Sequence, residues 1–281
     1  MKAQKAITPF KGLILTPEYQ NYLTRLSTGG VTLPSKQRQI IDNDLVKSLL
    51  SKNLWNKIYL FQIWCGETKN QLLYNLQNDT SRPSYNDYAI GAFINSGGIF
   101  TASLAYNANA SEPVDTNFIP NTHLSGTSNN FEIWFSNQTN GINFGWDYGV
   151  LGTGITALSI AYQSWNSGST FNCELQIGAS TTDYASADEN SLTGIWRSYV
   201  NSSAYIRLSQ DGVDFGMRDQ FDSPTAKATS ELYFSSINNS GSPLFTQTRE
   251  KSFYLITEEL NNTEASDLLQ CLQDYEIALG I

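Results

Sequence analysis

The sequence pairs aromatic side chains with an acidic one at spacings that suit carbohydrate binding. The stretch "GWDYG" sets Trp146 and Tyr148 on either side of Asp147, between glycines that favour a loop. A sugar ring packs on an aromatic ring while a carboxylate binds its hydroxyls, so this trio has suitable chemistry. Trp165 in "SWNSG" and Trp134, which alternation places on the polar face of its strand, extend the set. The alternative is that these rings cap the ends of a sandwich or face a neighbouring subunit.

Two acidic clusters offer the hard oxygen ligands that calcium prefers. The segment "TTDYASADEN" supplies Asp183 and Asp188, and "DGVDFGMRDQFD" supplies Asp211 and Asp214. Their spacing fits no EF-hand loop. Calcium is therefore the one cofactor for which the sequence offers ligands, and the alternative is that these carboxylates are solvated charges on loops and hairpins.

Residue patterns of the common hydrolases are missing from the sequence. A retaining glycosidase needs two carboxylates about 5 Å apart, which an acidic pair two residues apart on one strand would supply. No Glu has an Asp at that offset, where Glu132, Glu174 and Glu231 are followed by Trp134, Gln176 and Tyr233. The single histidine, His123, lies in the polar stretch "IPNTHLSGTSNN", which predicts an exposed loop residue. No G-x-S-x-G, Walker or dinucleotide motif is present, so we expect no catalytic residues and no enzyme activity.

Composition excludes several classes of partner. The 281 residues carry a formal net charge of −9, and no run of Lys or Arg is long enough to follow a phosphate backbone. We therefore expect no nucleic-acid partner. No stretch reaches the roughly 20 apolar residues of a membrane span, and the start "MKAQKAITPFKG" has no apolar core of a signal peptide. Three cysteines lie far apart in the sequence, a spacing typical of buried free thiols rather than of a zinc site: Cys65, Cys173 and Cys271.

Most of the chain has the period-two pattern of β-strands. From about residue 85 nine or ten segments alternate apolar and polar residues, and in "FEIWFS" Phe131, Ile133 and Phe135 point one way. Asn140-Gly141 and Asp211-Gly212 are strong hairpin dipeptides. Strands at this spacing predict a sandwich or jelly roll, with the polar segment from residue 107 to residue 130 as a long surface loop.

Helical patterns flank the strands. "TPEYQNYLTRL" and "LPSKQRQIIDNDLVKSLLSKNLW" begin with the caps Thr16 and Ser35. The last residues predict a helix capped by Thr263, with Leu268, Leu272 and Tyr275 among the residues of an apolar stripe that must be buried.

The division of the chain follows from these patterns. We expect an arm over residues 1–15, a helical extension over 16–80 packed on the sandwich, the β-sandwich over 81–257 and a closing helix over 258–281. The arm has too few apolar groups to fold alone and would order on a neighbouring subunit, with Ile7 and Phe10 as anchors. A frayed terminus without a partner is the alternative.

Several short motifs together resemble a group of bacteriophage and prophage proteins that carry a concanavalin A-like lectin/glucanase jelly roll. They include "RSYVNSSAYIRLSQDG", "INNSGSP" and the terminal "TEELNNTEASDLLQCLQDYEIALG". Residues near the first strand also match: Trp55, Lys57, Ile58, Tyr59, Phe61, Tyr74, Asn75 and Leu76. The matches run in order through most of the chain, and they imply a concanavalin A-like jelly-roll sandwich with flanking N-terminal helices and a C-terminal helix.

The resemblance implies a function as a non-enzymatic virion component, attached to capsid or tail as a decoration or fibre protein and made in the bacterial host cytoplasm. Its partners would be other virion proteins or further copies of itself, with cell-surface polysaccharide as a further ligand. The first alternative is a lectin-like carbohydrate-binding module that is not tied to a virion. The second is a glycoside hydrolase with a non-standard carboxylate pair.

Overall fold

The computed structural model contains two β-sheets that face each other and helices from both ends of the chain. It describes residues 14–77, 79–82, 89–94, 99–101, 105–107, 113–124, 131–139, 145–150, 160–167, 170–177, 184–189, 193–200, 206–218, 228–244 and 250–281. The helices are α1 (Pro17–Thr28), α2 (Lys36–Ser51), α3 (Pro120–His123) and α4 (Asn262–Leu279), with short 3-10 helices over Trp55–Lys57 and Lys69–Leu73. The strands are β1 (Ile58–Ile63), β2 (Ala92–Phe93), β3 (Ile99–Thr101), β4 (Ala105–Asn107), β5 (Val114–Asp115), β6 (Phe131–Asn137), β7 (Gly145–Val150), β8 (Ile160–Ser167), β9 (Thr170–Ile177), β10 (Tyr184–Glu189), β11 (Gly194–Val200), β12 (Ile206–Gln210), β13 (Val213–Arg218), β14 (Tyr233–Phe234), β15 (Ile237–Asn239), β16 (Ser242–Leu244) and β17 (Glu250–Glu258).

The two sheets are mainly antiparallel. We call one of them the inner sheet, because it lies between the helices and the other sheet, which we call the outer sheet. In the inner sheet the described strands run in the order β13-β12-β11-β6-β17-β4-β3, and β1 pairs with β17 beside β4. In the outer sheet the order is β10-β9-β8-β7-β14-β5-β2, with β15 and β16 beside β7. The prediction of a mainly β sandwich of the jelly-roll class, with helices at the two ends of the chain, is therefore confirmed.

Both faces of the central strands β6 and β17 of the inner sheet are buried, and alternation along these strands explains how. In β6, Ile133 and Phe135 point into the core between the two sheets, whereas Trp134 points to the opposite face. In β17, Tyr254 packs in the core between the two sheets, as Ile133 and Phe135 do. Leu255 packs on the opposite face, as Trp134 does. The second face packs against α1, α2 and α4, so the molecule has three layers: helices, inner sheet and outer sheet.

Two of the three long helices begin at the caps that the sequence predicts. Thr16 and Ser35 cap α1 and α2 as predicted. The prediction of Thr263 as the cap of α4 was wrong, because Asn261 accepts the backbone N–H groups of Thr263 and Glu264. The α4 helix ends at Gly280, whose φ of 76° is the left-handed conformation that glycine adopts without strain.

A buried polar cluster joins the N-terminal helices to α4. Arg38 of α2 donates to Asp42 over 2.6 Å and also donates to the Tyr275 hydroxyl and to the Cys65 carbonyl. Asp42 in turn accepts hydrogen bonds from Tyr19 of α1 over 3.1 Å and from Tyr275 over 2.8 Å. Burial raises the pKa of Tyr275 well above its usual value, so this hydroxyl remains a donor. The cluster fixes both ends of the chain on one face of the inner sheet.

Two local predictions were wrong. The segment from residue 107 to residue 130 is no continuous loop, because it contains strand β5 and helix α3. His123, which was predicted to be an exposed loop residue, is buried with 1% of its surface exposed. Its Nδ1 accepts a hydrogen bond from the Ile119 N–H over 2.7 Å. The Asp211-Gly212 hairpin is confirmed between β12 and β13, with φ of 49° and 85° at the two turn residues. Asn140-Gly141 and the arm anchors Ile7 and Phe10 lie outside the described residues.

The packing of α4 generates the first testable prediction. Leu272 is fully buried on this helix, whereas Ile277 is 74% exposed. We expect Leu272→Ala to lower the free energy of unfolding by about 2–5 kcal/mol, because it leaves a cavity between the helix and the sheet. Ile277→Ala is the control on the same helix and should change it by less than about 0.5 kcal/mol. Urea denaturation followed by circular dichroism measures both, and equal losses would contradict the docking of α4.

Candidate functional site

A cavity of about 270 Å³ lies between the helix-facing side of the inner sheet and the first turns of α4. We call it the α4 pocket. Strand β6 supplies its floor, β11, β12 and β13 supply one wall, and α4 supplies the other. Its lining residues are Trp134, Ile195, Arg197, Tyr199, Arg207, Ser209, Gly212, Asp214, Asn262, Ala265, Ser266 and Leu269.

A buried ion pair holds the floor of the α4 pocket in place. Arg197 donates from Nε to Glu132 Oε2 over 3.0 Å and from Nη2 to Oε1 over 2.6 Å, which is a bidentate pair. The Trp134 indole N–H donates to the same carboxylate over 2.9 Å, and so does the Leu260 backbone N–H over 2.9 Å. Burial raises the pKa of Glu132, while Arg197 opposes this shift. Every oxygen of Glu132 is thus occupied, and its role is to position Arg197 and Trp134.

The wall of the pocket stacks charge on an aromatic ring. The Arg197 guanidinium lies 3.8 Å from the centre of the Tyr199 ring and 5.2 Å from that of Trp134. Residues 195, 197 and 199 share this face because alternate residues of β11 point the same way. Burial raises the pKa of the Tyr199 hydroxyl, which therefore stays protonated and available as a donor.

The rim of the pocket is polar. Arg207 Nη1 donates to the Tyr199 hydroxyl over 3.4 Å and to Asp214 Oδ2 over 3.2 Å. Its Nε is buried and has no hydrogen-bond partner among the described residues. A buried donor without a partner costs free energy, so an acceptor that entered the pocket here would relieve that cost. Asn262, Ser266 and Ser209 add neutral donors and acceptors around the opening.

The hairpin turn between β12 and β13 sets the distance from the sheet to α4. Asp211 Oδ1 accepts the Ile195 N–H over 2.9 Å, which ties the turn to β11. A Cβ on Gly212 would approach a methyl carbon of Leu269 to 3.0 Å, and the φ of 85° also favours glycine. The carboxylate of Asp211 is therefore occupied in holding the turn.

The structure separates the residues predicted to bind carbohydrate. Trp134 lies in the floor of the α4 pocket and is 3% exposed. The loop prediction for "GWDYG" was wrong, because these residues form β7, and Asp147 and Tyr148 are fully buried between the two sheets. Neither buried side chain presents a surface to a glycan. Trp146 lies in β7 and Trp165 in β8, and their side chains are outside the described part of the chain.

The carboxylates predicted to bind calcium do not come together in the described part of the chain. Asp214 pairs with Arg207 at the pocket rim, and Asp211 holds the hairpin turn. Asp188 lies in β10, whose side chains are not described, and Asp183 lies outside the described residues. Among the residues that the structure describes, no group of three or more His, Cys, Asp or Glu side chains is placed to hold a metal ion.

Sequence reasoning missed Arg197, Tyr199 and Arg207 as site residues. The signal was present in "GIWRSYV", where alternation puts Ile195, Arg197 and Tyr199 on one face. Among the described residues, the helices are too short or too polar to cross a membrane.

Comparison with known proteins identifies a shared fold. No family model and no curated protein matches the chain. Among solved structures, a mutant of Trypanosoma rangeli sialidase with trans-sialidase activity aligns with a TM-score of 0.52 and 10% identity, over 83% of this chain and 38% of that one. The chain therefore spans well under half of that sialidase.

Two further neighbours align less closely. One is domain 4 of AbnA, a GH43 extracellular arabinanase from Geobacillus stearothermophilus, in complex with arabinotriose, with a TM-score of 0.48, 14% identity and coverage of 76% and 98% of the two chains. The other is the ligand-binding domain of botulinum neurotoxin serotype D in complex with N-acetylneuraminic acid. It aligns with a TM-score of 0.49 and 11% identity, over 79% of this chain and 52% of that one. At 10% identity, the alignment with the sialidase shows only the mainly β sandwich fold of this chain.

The ion pair in the floor of the pocket generates a second prediction. We expect Glu132→Gln to lower the free energy of unfolding by about 3–5 kcal/mol, because Arg197 would remain buried without a charged partner. Asp214→Asn removes the partner of the more exposed Arg207 and should cost about 1 kcal/mol or less. Urea denaturation of the two variants measures the difference. A loss below about 1 kcal/mol for Glu132→Gln would show that the pair does not hold the floor.

Proposed function

We propose that the protein is a non-catalytic carbohydrate-binding protein whose binding site is the α4 pocket. The observation that carries this proposal is the combination of an aromatic floor and wall with a polar rim in one small cavity. Sugars combine apolar C–H faces with many hydroxyls, and they bind where aromatic rings and convergent polar groups meet. The α4 pocket supplies both from described side chains.

The size of the pocket limits the ligand. About 270 Å³ is slightly below the roughly 300–1,000 Å³ of drug-sized ligand sites, so the cavity suits a single sugar ring of a longer glycan. Trp134 and Tyr199 provide the apolar contact surface. Arg207, Asp214 and Asn262 lie around the same opening and offer both donors and acceptors to hydroxyl groups.

The Arg207 side chain has a hydrogen-bond donor that such a ligand could satisfy. Its Nη1 is committed to Tyr199 and Asp214, whereas its buried Nε has no partner among the described residues. A sugar hydroxyl that accepts from Nε would satisfy this donor and would orient the ring against Tyr199. The contact therefore couples affinity to ligand orientation.

Blocking the pocket tests the proposal. Ser266 is exposed on α4 and lines the pocket, and Gln270 is exposed one turn further along the same helix but outside the lining. We expect Ser266→Trp to abolish glycan binding by filling the cavity, and Gln270→Trp, the matched control, to bind as the wild type does. Arg207→Ala should weaken binding about tenfold, equivalent to about 1.4 kcal/mol.

The measurement is binding of the purified chain to a glycan array, followed by titration calorimetry with the best-bound oligosaccharide. Thermal melting of each variant shows that it is folded. Wild-type protein that binds no glycan, or Ser266→Trp that binds as tightly as Gln270→Trp, would overturn the proposal.

A second candidate function, glycoside hydrolysis, is favoured by one carboxyl group. Burial, with a smaller contribution from nearby Glu231, raises the pKa of Asp115 to about 6, although the hydrogen bond from the Asn117 N–H opposes this shift. A carboxyl group whose pKa is raised by burial to about 6 is typical of a glycosidase acid. Asp115 lies on β5 opposite Tyr233 of β14, on the outer sheet and away from the α4 pocket.

The raised pKa gives this candidate a pH test. Because the folded pKa of Asp115 lies above its ordinary value of 3.8, ionisation destabilises the fold above about pH 6 and has no effect below about pH 3.8. We expect Asp115→Asn to melt higher than the wild type at pH 8 and equally at pH 3.5. If the protein hydrolyses oligosaccharides and Asp115→Asn abolishes this activity, the second candidate function, glycoside hydrolysis, is supported. Binding without hydrolysis favours the leading proposal.

The association with a bacteriophage particle is a further part of this proposal and rests on the sequence resemblance. A glycan-binding decoration or fibre protein would attach a particle to the polysaccharide of its host cell. Detection of the chain by mass spectrometry in purified particles tests that association separately from glycan binding.

A further inference from the structure

Three reactive side chains meet in the core between the two sheets, far from the α4 pocket lining. The Lys251 ammonium of β17 donates hydrogen bonds to Asn137 Oδ1 of β6 and to Asp147 Oδ1 of β7. Lys251 and Asp147 are fully buried, and Asn137 is 1% exposed. A lysine side chain that is buried so completely is rare in folded proteins.

Irregularities in both sheets bring these groups together. Lys251 lies opposite Asn137 and Tyr254 lies opposite Phe135, so β17 advances three residues while β6 advances two. This β-bulge changes the alternation of β17 and turns Lys251 into the core. In the outer sheet Trp146 pairs with Gln163 and Tyr148 with Tyr162, which leaves Asp147 as an additional residue in β7. Bulges re-aim side chains and are frequent beside reactive sites.

The surroundings of the three groups are aromatic and exclude water. Lys251 Nζ lies 5.4 Å from the centre of the Phe135 ring. That ring stacks on Tyr254 at 5.8 Å and meets the edge of Tyr148 at 5.8 Å. In such a low-dielectric setting, transfer of a proton from the ammonium to the carboxylate removes two buried charges and leaves a neutral amine. A neutral amine is the nucleophilic form of lysine.

The amide of Asn137 is poised to react with that amine. Its Oδ1 is held by Lys251, while its Nδ2 is buried and has no hydrogen-bond partner among the described residues. The two residues are directly opposite each other on adjacent strands, so their side chains need no backbone rearrangement to meet. Fixing a nucleophile against an electrophile in this way supplies a large part of the barrier reduction of an intramolecular reaction.

We propose that Lys251 and Asn137 join in an intramolecular isopeptide bond, with Asp147 as the proton carrier. Asp147 takes a proton from the Lys251 ammonium, and the free amine attacks Cγ of Asn137. Asp147 passes that proton to Nδ2 as the tetrahedral centre collapses. The Nζ–Cγ bond forms, the Cγ–Nδ2 bond breaks, and ammonia leaves with the second proton of the amine. No oxidant, metal or co-reactant is required.

The mass of the wild-type chain tests the bond directly. We expect the denatured, full-length protein to be lighter than its sequence mass by one ammonia molecule. Trypsin should fail to cleave after Lys251, and tandem mass spectrometry should find one branched peptide that joins Lys251 to Asn137. A chain of full sequence mass that trypsin cleaves after Lys251 overturns the proposal, and so does loss of one water, which would place the bond at Asp147.

Three substitutions assign the roles. Lys251→Arg and Asp147→Asn should each restore the full sequence mass, since the first lacks the amine and the second lacks the proton carrier. Asn137→Asp keeps the shape of the electrophile and should give loss of one water instead of ammonia. Retention of the ammonia loss in Lys251→Arg would overturn the assignment, and because the wild-type masses stand alone, a variant that fails to fold does not weaken the test.

Discussion

Burial of both faces of the β6–β17 strand pair is the constraint on which the rest of the structure depends. A sheet with two covered faces has no solvated side on which to place polar residues. Trp134 and Leu255 therefore pack beneath the helices, while Phe135 and Tyr254 pack between the sheets. The helices α1, α2 and α4 form the third layer that covers this second apolar face.

Among the residues that the structure describes, the buried charged side chains of these layers belong to ion pairs. Glu132 and Arg197 form a bidentate pair under α4, Arg38 and Asp42 join α2 to α4, and Lys251 meets Asp147 between the sheets. Burying an unpaired charge is far more costly than burying a pair with additional hydrogen bonds. Such pairs add geometric specificity more reliably than stability, because each fixes which strands and helices face one another.

Those features of the fold that depend on neighbouring residues could be predicted from the sequence. Period-two alternation located β6, β11 and β17, and Asp211-Gly212 located a hairpin, because both signals depend on neighbouring residues alone. Alternation correctly placed Trp134 opposite Ile133 and Phe135, but the prediction that it lies on a polar face was wrong, because α4 covers that face. That cover comes from residues more than a hundred positions away. Asp147 was placed in a loop because a β-bulge leaves no periodic signal that distinguishes it from a turn.

The position of β17 in the inner sheet has a consequence for the order in which the chain folds. β17 follows β1, β4 and β6 at a large distance in the sequence, yet it lies between β6 on one side and β1 and β4 on the other. During synthesis, β1 and β6 therefore each have an open edge until β17 has been made. Contacts this distant in sequence make folding slow and leave apolar strands exposed in the meantime. The inner sheet is therefore completed late, when β17 inserts between strands that were made long before it.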